Sequence, residues 1–502
     1  MSSDSQTPES PTVANQASSG EASSGQAGSQ LPGSLRPENL ADAREEVTER
    51  AETVWTRGPD AAPALIGLVG KGLTGAGGRV AIVDGCRTPF ARSGTDLRDM
   101  DVVDLAATAA SELVQRNNFD PAEIGLSVFG CVIPALNAPN LGREVVFRAG
   151  LPKTIPGTTV NLACASSNRA ITSGAEAILT GQCDTVLAGG AESLTNVPIQ
   201  YSKSGARRLV EFSKAKTLGQ RLKVLSKVRP RDLAPVAPAI AEYTTGKSMG
   251  QSAEQMAQEN DISRRAQDEI ALMSHDRAAA AAAEGRFDGQ IVLTFPRPGY
   301  DHAIATDNGV RSDSSMEALG KLRPVFDRKY GSITAGNASP LTDGGSAVLL
   351  MSEEKARALG YEPLGYIRSW SYASLAPEGQ LLQGPAYAAP AALDGAGMKL
   401  ADIDLIDMHE AFAAQILSNM KAFASKKFAQ EELGRSEPLG EIDFDRYNVN
   451  GGSIAIGHPF GGTGGRVTVQ LLSELKRRGL QTGLLTVCAA GAVGLAMVVE
   501  RE

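Results

Sequence analysis

Short apolar runs alternate with stretches of helical periodicity along most of this 502-residue chain, and this alternation limits its fold more than any other feature. The apolar runs lie at 80–85, 185–188, 347–350, 403–406 and 484–487. The helical stretches between them are clearest at 166–180 and 262–284. Because each run has the length of a buried strand, the sequence predicts an α/β fold in which strands and helices alternate.

A weak internal repeat indicates two similar halves. The motif VNLAC at 160–164 precedes a predicted helix and a strand that ends in AGG at 188–190. The motif VNGGS at 449–453 likewise precedes a helix and a strand that ends in AAG at 489–491. Two copies of one unit predict a pseudo-twofold body with a site between the halves. Chance similarity of Gly- and Ala-rich turns explains the repeat equally well, so the sequence leaves both explanations open.

Composition excludes several classes of protein. The net charge of −8 argues against a general nucleic-acid binder, which would carry a basic surface. Five cysteines in 502 residues cannot build a disulfide framework, so we expect a reducing, cytoplasmic setting. The chain has no Cys-x-x-Cys motif and no His/Cys ligand spacing, and therefore no metal site is predicted.

The first 78 residues are predicted to lie outside the catalytic body. Residues 1–35 are mostly Ser, Gly, Gln and Ala, and we expect them to be disordered because they contain too little apolar surface to offset the entropy of ordering. Residues 37–57 are predicted to form an exposed, highly charged helix. The apolar stretch 61–78 is too short and too interrupted by glycine to cross a bilayer, and the body is expected to begin near Arg79.

Cys164 is the first candidate for chemistry. It lies between a predicted strand that ends at Asn161 and a helix that begins near Ser166. A thiol at a helix N-terminus feels the positive end of the helix dipole, which lowers its pKa and favours the thiolate. An inert buried cysteine fits the same position, so position alone leaves both interpretations open.

Two of the four histidines lie in contexts that suit catalysis. His458 lies in the glycine-rich segment 451–464, where backbone can approach a ligand closely, and the Gly before it and the Pro after it suit a rigidly held general base. His409 follows a predicted strand and leads into a helix, which is where α/β proteins place functional side chains. His275 and His302 carry no comparable signal.

Cys488 ends a predicted strand and enters a Gly- and Ala-rich turn. The amides of such a turn can hold an oxyanion, and a nearby thiol could carry a proton. Taken alone, the residue also fits a small core position. Cys86, Cys131 and Cys183 are interpreted as structural.

Together these motifs resemble the thiolase family over residues 79–500. Cys164 in NLACAS is similar to the nucleophile motif of the family, and His458 in GHP is similar to its base motif. Cys488 with the turn that follows is similar to the acid/base cysteine. The segment 334–345, which reads TAGNAS before DGG, is similar to a further family signature.

Two departures from the usual thiolase pattern are informative. HEAF at 409–412 stands where most thiolases have Asn-Glu-Ala-Phe, and this variant resembles the β-subunit branch of the fatty-acid oxidation trifunctional complex. The long stretch 203–238 is similar to the same branch. Ala490-Gly491-Ala492 replaces consecutive glycines, and an oxyanion site should survive this change because it uses backbone amides.

The resemblance implies the five-layered αβαβα thiolase fold of two pseudo-symmetric halves, 79–352 and 353–502, with an inserted loop region at about 198–285. It implies 3-ketoacyl-CoA thiolase activity in fatty-acid β-oxidation, with coenzyme A as co-substrate and no bound cofactor. His458 would activate Cys164, which would carry the acyl group.

The resemblance also assigns roles to the remaining site residues. Cys488 would protonate the enolate of acetyl-CoA. One oxyanion pocket would form from His458 and a water held by His409, and the other from the amides of Cys164 and Ala490. The family pattern further implies that the CoA or acyl channel is lined by Met249, Ser339 and Phe412.

As partners, the resemblance implies a second copy of the chain and an α-subunit with enoyl-CoA hydratase and 3-hydroxyacyl-CoA dehydrogenase activities. The basic stretch 203–231 is compatible with a solvated helix, a dock for the CoA phosphates, or an amphipathic element on a membrane or partner. We expect a cytoplasmic protein, with a peripheral position on the inner face of a membrane as the alternative.

Three rival functions stay open. A biosynthetic acetoacetyl-CoA thiolase would run the reaction in reverse and prefer short substrates. A ketoacyl synthase would pair Cys164 with His409 and His458, but it would not need Cys488. An inactive, thiolase-like lipid-binding or scaffold subunit would need none of the four reactive side chains.

Overall fold

The computed structural model of the protein describes residues 40–57, 65–70, 75, 78–236 and 241–502. Within these ranges the strands are β1 (Leu65–Gly70), β2 (Val80–Arg87), β3 (Ala91–Arg92), β4 (Leu126–Gly130), β5 (Gly157–Val160), β6 (Thr185–Glu192), β7 (Gln200–Tyr201), β8 (Pro235–Val236), β9 (Thr342–Ser352), β10 (Gly365–Ser374), β11 (Leu405–Met408), β12 (Thr482–Ala489) and β13 (Val493–Glu500). The α-helices are α1 (Ala41–Thr48), α2 (Val102–Arg116), α3 (Leu141–Arg148), α4 (Ser166–Leu179), α5 (Lys203–Lys214), α6 (Leu218–Leu225), α7 (Met249–Glu259), α8 (Arg264–Ala283), α9 (Met316–Gly320), α10 (Glu353–Ala358), α11 (Gly384–Ala396), α12 (Ala413–Ala424), α13 (Lys426–Leu433), α14 (Ser453–Ile456) and α15 (Thr463–Arg478).

Two groups of strands with the same internal order build the main sheet. The first group runs β2-β9-β6-β4-β5, and the second runs β10-β13-β12-β11. In the first group β4 is parallel to β5 and β6, while β6 is antiparallel to β9. In the second group β11 is parallel to β12, and β12 is antiparallel to β13. A parallel bridge from Ile406 to Tyr447 takes the place that β5 holds in the first group. The predicted α/β fold of two pseudo-symmetric halves is therefore confirmed.

Side chains that alternate between the two faces of each strand create the layers. On β9, Ala347, Leu349 and Met351 pack in one apolar cluster with α2 and α3. Val348 and Leu350, on the opposite face, pack in a second cluster with α4 and α15. A third cluster joins the far face of β12 to α8, α11 and α12. The helices α4 and α15 thus lie between the two groups of strands, and each group is covered by helices on its outer side.

Local sequence signals fix the ends of α2 and α15. Asp101 caps α2 by accepting hydrogen bonds from the amides of Val103 and Asp104. The helix α15 ends at Gly479, which adopts a left-handed conformation with φ of 66°. Lys476, Arg477 and Arg478 lie in the last turn of α15, where positive charge complements the helix dipole.

The prediction of an exposed charged helix at 37–57 is wrong. The helix α1 packs against α8 and α12, and Ala43, Glu46 and Val47 are buried. The burial of α1 could not be predicted from the local sequence, because the residues that contact it are more than 200 positions further along the chain. The Glu46 carboxylate accepts a hydrogen bond from the Ser263 amide at 3.0 Å and lies 3.5 Å from the buried Lys421 ammonium.

The folded body also begins earlier than the predicted boundary near Arg79. The strand β1 pairs antiparallel with β10, so backbone N-terminal to Arg79 belongs to the main sheet. The predicted disorder of 1–35 lies outside the described residues.

The described part of the predicted insertion at about 198–285 contains four α-helices. The helices α7 and α8 contribute buried residues to the same cluster as α12. The helices α5 and α6 extend from the body, and no side chain of α6 is buried. In the parts of the chain that the structure describes, no helix combines the length and apolar character needed to cross a membrane.

Candidate active site

A cavity of about 310 Å³ lies where the two halves meet. Its wall includes Cys164 from the first half and His458 and Cys488 from the second. Most of the other side chains that line it are apolar, as suits the burial of an acyl chain. The three residues that the family pattern assigns to the CoA or acyl channel also line this cavity: Met249, Ser339 and Phe412.

Cys164 is held in a tight turn between β5 and α4. The Ser166 hydroxyl accepts a hydrogen bond from the Leu162 amide at 2.9 Å and donates one to the Ala163 carbonyl at 2.6 Å. Ala163 itself adopts a left-handed backbone conformation with φ of 46°, which is strained for a residue with a side chain. The turn therefore fixes the direction of the Cys164 side chain, which is partly accessible from the cavity.

His458 approaches Cys164 from the glycine-rich loop before α15. Its Nε2 lies 3.1 Å from the Cys164 Sγ, and its Nδ1 lies 2.6 Å from the Thr463 hydroxyl. That hydroxyl can donate to the Pro459 carbonyl at 3.3 Å, so it accepts the hydrogen on Nδ1. The unprotonated Nε2 then faces the thiol, as a general base must.

The loop requires glycine immediately before His458. Gly457 has φ of 117°, and a Cβ there would lie 2.6 Å from the Cγ2 of Thr342. Because any side chain at this position would strain the backbone and clash, the glycine allows His458 to reach Cys164.

The expectation of a net lowered pKa for Cys164 is wrong. Burial raises the pKa of this thiol to about 12, while the amides of Ala490 and of Cys164 itself lower it by a smaller amount. Burial also lowers the pKa of His458 to about 3, and the nearby Arg466 lowers it further. The resting pair is thus a neutral thiol beside a neutral imidazole, and the thiolate forms when the base takes the proton.

His409 lies beside His458, and their ring centroids are 4.1 Å apart. It directly follows β11, and its amide donates to the Thr486 carbonyl at 2.9 Å, which anchors it to β12. The His409 ring is buried, and burial lowers its pKa well below the usual value, with smaller contributions from His458 and Arg466. His409 is therefore neutral, and its ring has one nitrogen that can donate a hydrogen bond and one that can accept.

Cys488 faces the cavity from the end of β12 and is buried. Burial raises its pKa well above the usual value, and the adjacent Cys164 raises it further. A thiol of this kind holds its proton until a strongly basic group meets it, which suits a general acid. Two residues later, Ala490 lines the cavity and its amide points at Cys164.

Two carboxylates that hold this arrangement were not predicted from the sequence. Glu192, at the end of β6, accepts hydrogen bonds from the amides of Val132, Ile133 and Gly461 at 2.9–3.0 Å. It thereby ties two residues of the cavity wall to the loop that bears His458. Glu242 accepts a hydrogen bond from the Gly491 amide at 3.1 Å and so braces the turn that carries Ala490. An acidic residue at the end of an apolar strand was the available signal for Glu192.

The remaining cysteines and histidines lie away from this cluster. Cys86 and Cys131 are buried, and Cys183 is half-buried. His275 is buried and accepts a hydrogen bond from the Arg311 amide, and His302 lies on the surface beside Asp301.

Only one group of His, Cys and acidic side chains in the described ranges could hold a metal ion, and it is the same cluster of Cys164, His409 and His458. A ring nitrogen of each histidine and the Cys164 Sγ lie within 4.8 Å of one another. His458 and Cys164 are at hydrogen-bond distance, which is the contact that a nucleophile and its base require.

The Cys164 thiol lies against a neutral imidazole, a second thiol lies in the same cavity wall, and the Ala490 amide points at the Cys164 sulfur. These features define a class of enzyme, an acyltransferase that carries its acyl group on cysteine. Comparison with known proteins gives the family. Residues 80–354 match the thiolase N-terminal domain, and residues 361–501 match the thiolase C-terminal domain. The chain belongs to the thiolase family, as the sequence motifs predicted.

Named relatives agree with this assignment. The chain is 52% identical over 424 residues to a protein of Pseudoalteromonas translucida named 3-ketoacyl-CoA thiolase. The aligned region covers 84% of this chain and 97% of the relative. It is 51% identical over 429 residues to a protein of Vibrio cholerae with the same name, and the aligned region covers 86% of this chain and 98% of the relative. A crystal structure of the Bacillus anthracis acetyl-CoA acetyltransferase is similar with a TM-score of 0.73 and 32% identity, covering 86% of this chain and 99% of that chain.

Proposed function

We propose that this protein is a 3-ketoacyl-CoA thiolase of fatty-acid β-oxidation, which cleaves 3-ketoacyl-CoA with CoA to give acetyl-CoA and an acyl-CoA shortened by two carbons. The observation that carries the proposal is the 3.1 Å contact between His458 and Cys164, with Cys488 in the wall of the same apolar cavity. The relatives named 3-ketoacyl-CoA thiolase, at about 50% identity, support it.

The first chemical step makes the nucleophile. His458 takes the Cys164 proton on Nε2, and the thiolate attacks the keto carbon of the substrate. The carbonyl oxygen becomes an oxyanion. Collapse of this intermediate breaks the bond between the second and third carbons, leaving an acyl group on Cys164 and the enolate of acetyl-CoA.

The second thiol then completes the cycle. Cys488 donates its proton to the enolate carbon, which releases acetyl-CoA. Its thiolate next takes the thiol proton of the incoming CoA, whose sulfur attacks the acyl-Cys164 thioester. Cys164 leaves as a thiolate and recovers its proton from His458, so both thiols and the imidazole return to their starting states.

Two groups of donors face the developing negative charge. The amides of Cys164 and Ala490 point at the Cys164 sulfur and form one oxyanion site. His458, with a water held by His409, forms the other. Removal of a single donor of this type typically costs about 3 kcal/mol of transition-state stabilisation.

Met249, Ser339 and Phe412 line the cavity and bind the acyl group or the pantetheine arm of CoA. Every proton in this scheme is carried by a side chain of the chain itself or by CoA. We therefore propose coenzyme A as co-substrate, with no resident metal or other cofactor.

The assembly that we propose is a homodimer. In the described sheet, β5 is an end strand that pairs only with β4, and its residues are half-buried or exposed. A free edge of this kind can pair with the same edge of a second copy across a twofold axis. Light scattering on the purified protein should give the mass of two chains, and a monomer at micromolar concentration would contradict this assignment.

The segment α5–α6 supports a further contact, with an α-subunit or with a membrane surface. Residues 203–231 contain ten Lys or Arg and one acidic residue. Leu218, Leu222 and Leu225 of α6 are all more than half exposed. Exposed leucines beside a strongly basic face suit an acidic partner or anionic lipid. We propose a cytoplasmic protein that contacts an α-subunit with hydratase and dehydrogenase activities, or the inner face of a membrane.

Vesicle co-sedimentation separates these partners. Binding to anionic but not neutral vesicles, weakened by salt, would support the membrane contact. Absence of binding at both low and high salt would exclude it, and co-elution with a hydratase/dehydrogenase subunit would then test the alternative.

The activity is tested by CoA-dependent cleavage of 3-ketoacyl-CoAs from about four to sixteen carbons, with Cys164→Ala as the control. Cleavage that favours long chains and is lost in the variant is the expected result. Cleavage of acetoacetyl-CoA alone would indicate a short-chain thiolase. Absence of cleavage at every length, with and without an α-subunit, would contradict the proposal.

A further inference from the structure

The second histidine of the site has a fixed hydrogen-bond partner that the reaction scheme does not use. His409 Nδ1 lies 2.9 Å from the hydroxyl of Ser453, the first residue of α14. The same hydroxyl accepts a hydrogen bond from Nη2 of Arg466 at 2.7 Å. All three side chains are buried, so the arrangement is shielded from exchange with bulk solvent.

Counting hydrogens assigns a direction to each bond. Arg466 can only donate, so the Ser453 oxygen is an acceptor in that contact. The Ser453 hydroxyl still has one hydrogen of its own to place. Among the described groups, the acceptor that the structure gives this hydrogen is His409 Nδ1. Nδ1 therefore carries no hydrogen, and the neutral ring carries its hydrogen on Nε2.

The other ring nitrogen of His409, Nε2, is the one that can contact a reacting group. His409 Nε2 is buried and has no hydrogen-bond partner within the described part of the chain. A ring nitrogen of His409 lies within 4.8 Å of both the Cys164 Sγ and a ring nitrogen of His458. Since Nδ1 is committed to Ser453, Nε2 is the atom available to a reacting oxygen or to a water bound to it.

Arg466 is held by burial and by a carboxylate behind it. It is 1% exposed, and its Nη1 lies 3.9 Å from a carboxylate oxygen of Asp407, an ion-pair distance that is too long for a hydrogen bond. A buried cation of this kind has few alternative positions, which keeps its hydrogen bond to Ser453 in place.

His458 provides the contrast. Its Nδ1 also contacts a hydroxyl, that of Thr463, but that hydroxyl has a carbonyl acceptor in Pro459 and so receives the ring hydrogen. The hydroxyl beside His409 instead receives a hydrogen bond from a cation. Two similar hydroxyl contacts thus leave opposite nitrogens protonated on two adjacent imidazoles.

We propose that Ser453, held by Arg466, is a positioning residue that locks His409 in the Nε2–H form, so that His409 presents a hydrogen-bond donor while His458 presents a base. The inference rests on the proposed function for its kinetic consequence and on the hydrogen-bond geometry alone for the tautomer. It assigns to Ser453 and Arg466 the role that the third group plays when it orients a catalytic imidazole.

The tautomer is tested by ¹⁵N NMR on histidine-labelled protein, without substrate. His409→Ala identifies the His409 signals among the four histidines. The expected spectrum shows a protonated Nε2 and an unprotonated Nδ1 for His409, and Ser453→Ala should give a mixture of the two tautomers. A protonated Nδ1 in the unsubstituted protein would overturn the proposal whether or not the protein cleaves 3-ketoacyl-CoA.

Kinetics test the consequence. Ser453→Ala should lower kcat by about 10- to 100-fold with little change in KM, since a misdirected donor costs less than a lost one. Ser369→Ala is the matched control, because Ser369 is also buried and bonded but donates to the Ala392 carbonyl in the outer layer. It should change kcat by less than about twofold.

A double-mutant cycle separates positioning from a general structural effect. If Ser453 acts through His409, Ser453→Ala should reduce kcat by less than about twofold in a His409→Ala background. An equal reduction in both backgrounds would overturn the positioning role. Failure of the unsubstituted enzyme to cleave any 3-ketoacyl-CoA would instead contradict the proposed function and leave the NMR result to decide the tautomer.

Discussion

The two halves of the protein share a strand order but use it differently at the site. After the motif VNLAC at 160–164, the first half passes almost directly into α4 and leaves Cys164 facing the cavity. After VNGGS at 449–453, the second half inserts α14 and a glycine-rich loop before α15. Ser453, the counterpart of Cys164 in the repeat, is buried under His409, and the additional loop carries His458 to the cavity. The common frame places both motifs at the interface, and the departures from symmetry create a nucleophile on one side and its base on the other.

The largest expected effect comes from the nucleophile itself. Cys164→Ala should lower kcat for 3-ketoacyl-CoA cleavage by at least about 10⁴-fold, because no other group can form the thioester in its place. Steady-state assays measure the loss, and circular dichroism checks that the variant is folded. Substantial residual turnover would mean that the first half does not supply the nucleophile through Cys164.

Loss of the general acid Cys488, which lies in the second half, is expected to lower kcat nearly as much. Cys488→Ala should reduce kcat by about 10²- to 10⁴-fold, because the enolate loses its proton donor. Cys86→Ala is the matched control, since Cys86 is equally buried but lies outside the cavity wall, and it should have little effect on rate. Equal losses in the two variants would indicate that buried thiols act here only through packing.

A further difference between the halves is that the N-terminal segment 40–57 packs on the outer helices of the second half. Lys421 of α12 is fully buried, and its ammonium contacts Thr53, the Asn260 carbonyl and Glu46. Lys421→Met should reduce the free energy of unfolding by about 3 kcal/mol, because the buried Glu46 carboxylate loses its buried cation and keeps only the half-exposed Arg50, at 3.6 Å, as an ion-pair partner. Urea unfolding measures this loss.

Lys426→Met is the control for that substitution. Lys426 begins α13 and pairs with Glu437, but its side chain is 53% exposed. The change should cost less than about 0.5 kcal/mol. Similar losses in both variants would contradict the structural role assigned to the N-terminal segment.

The smallest expected effect is on the pH dependence of the base. The pKa of His458 is lowered to about 3, so its neutral, active form persists as pH falls through the range where an ordinary histidine is protonated. The value of kcat/KM should therefore stay level from pH 8 to about 5.5, where a histidine with a pKa of about 6.5 would have lost about tenfold. A fall centred near pH 6.5 would show that His458 is charged more easily than its burial implies.

The sequence predicts the frame and the reactive side chains because both leave local signals. The apolar run at 347–350 predicts β9, a strand buried on both faces, and the glycines round His458 indicate close approach of backbone. Cys164, His409, His458 and Cys488 were each singled out from neighbouring residues alone. Three of them line one cavity and His409 lies directly behind, beside His458. This convergence follows from strand order, which local sequence indicates only through the repeat.

What the sequence does not predict depends on partners that are distant along the chain. The segments 41–48 and 203–225 are both rich in charged residues, the first mostly acidic and the second mostly basic, yet α1 is packed into the body and α6 has no buried side chain. The first segment meets Lys421 and Ser263, and the second meets no comparable surface among the described residues. The protonation state of Cys164 was missed because the burial that raises its pKa leaves no signal in the neighbouring residues of the sequence.

The central claim is that the acyl group is carried by Cys164 and activated by His458 from the other half. Mass spectrometry of the Cys488→Ala variant, quenched in acid after mixing with a 3-ketoacyl-CoA, tests it most directly. The expected result is a mass increase equal to the shortened acyl group on the peptide that contains Cys164, and loss of this adduct in a His458→Ala background. An adduct on any other residue, or an unchanged yield without His458, would contradict the account.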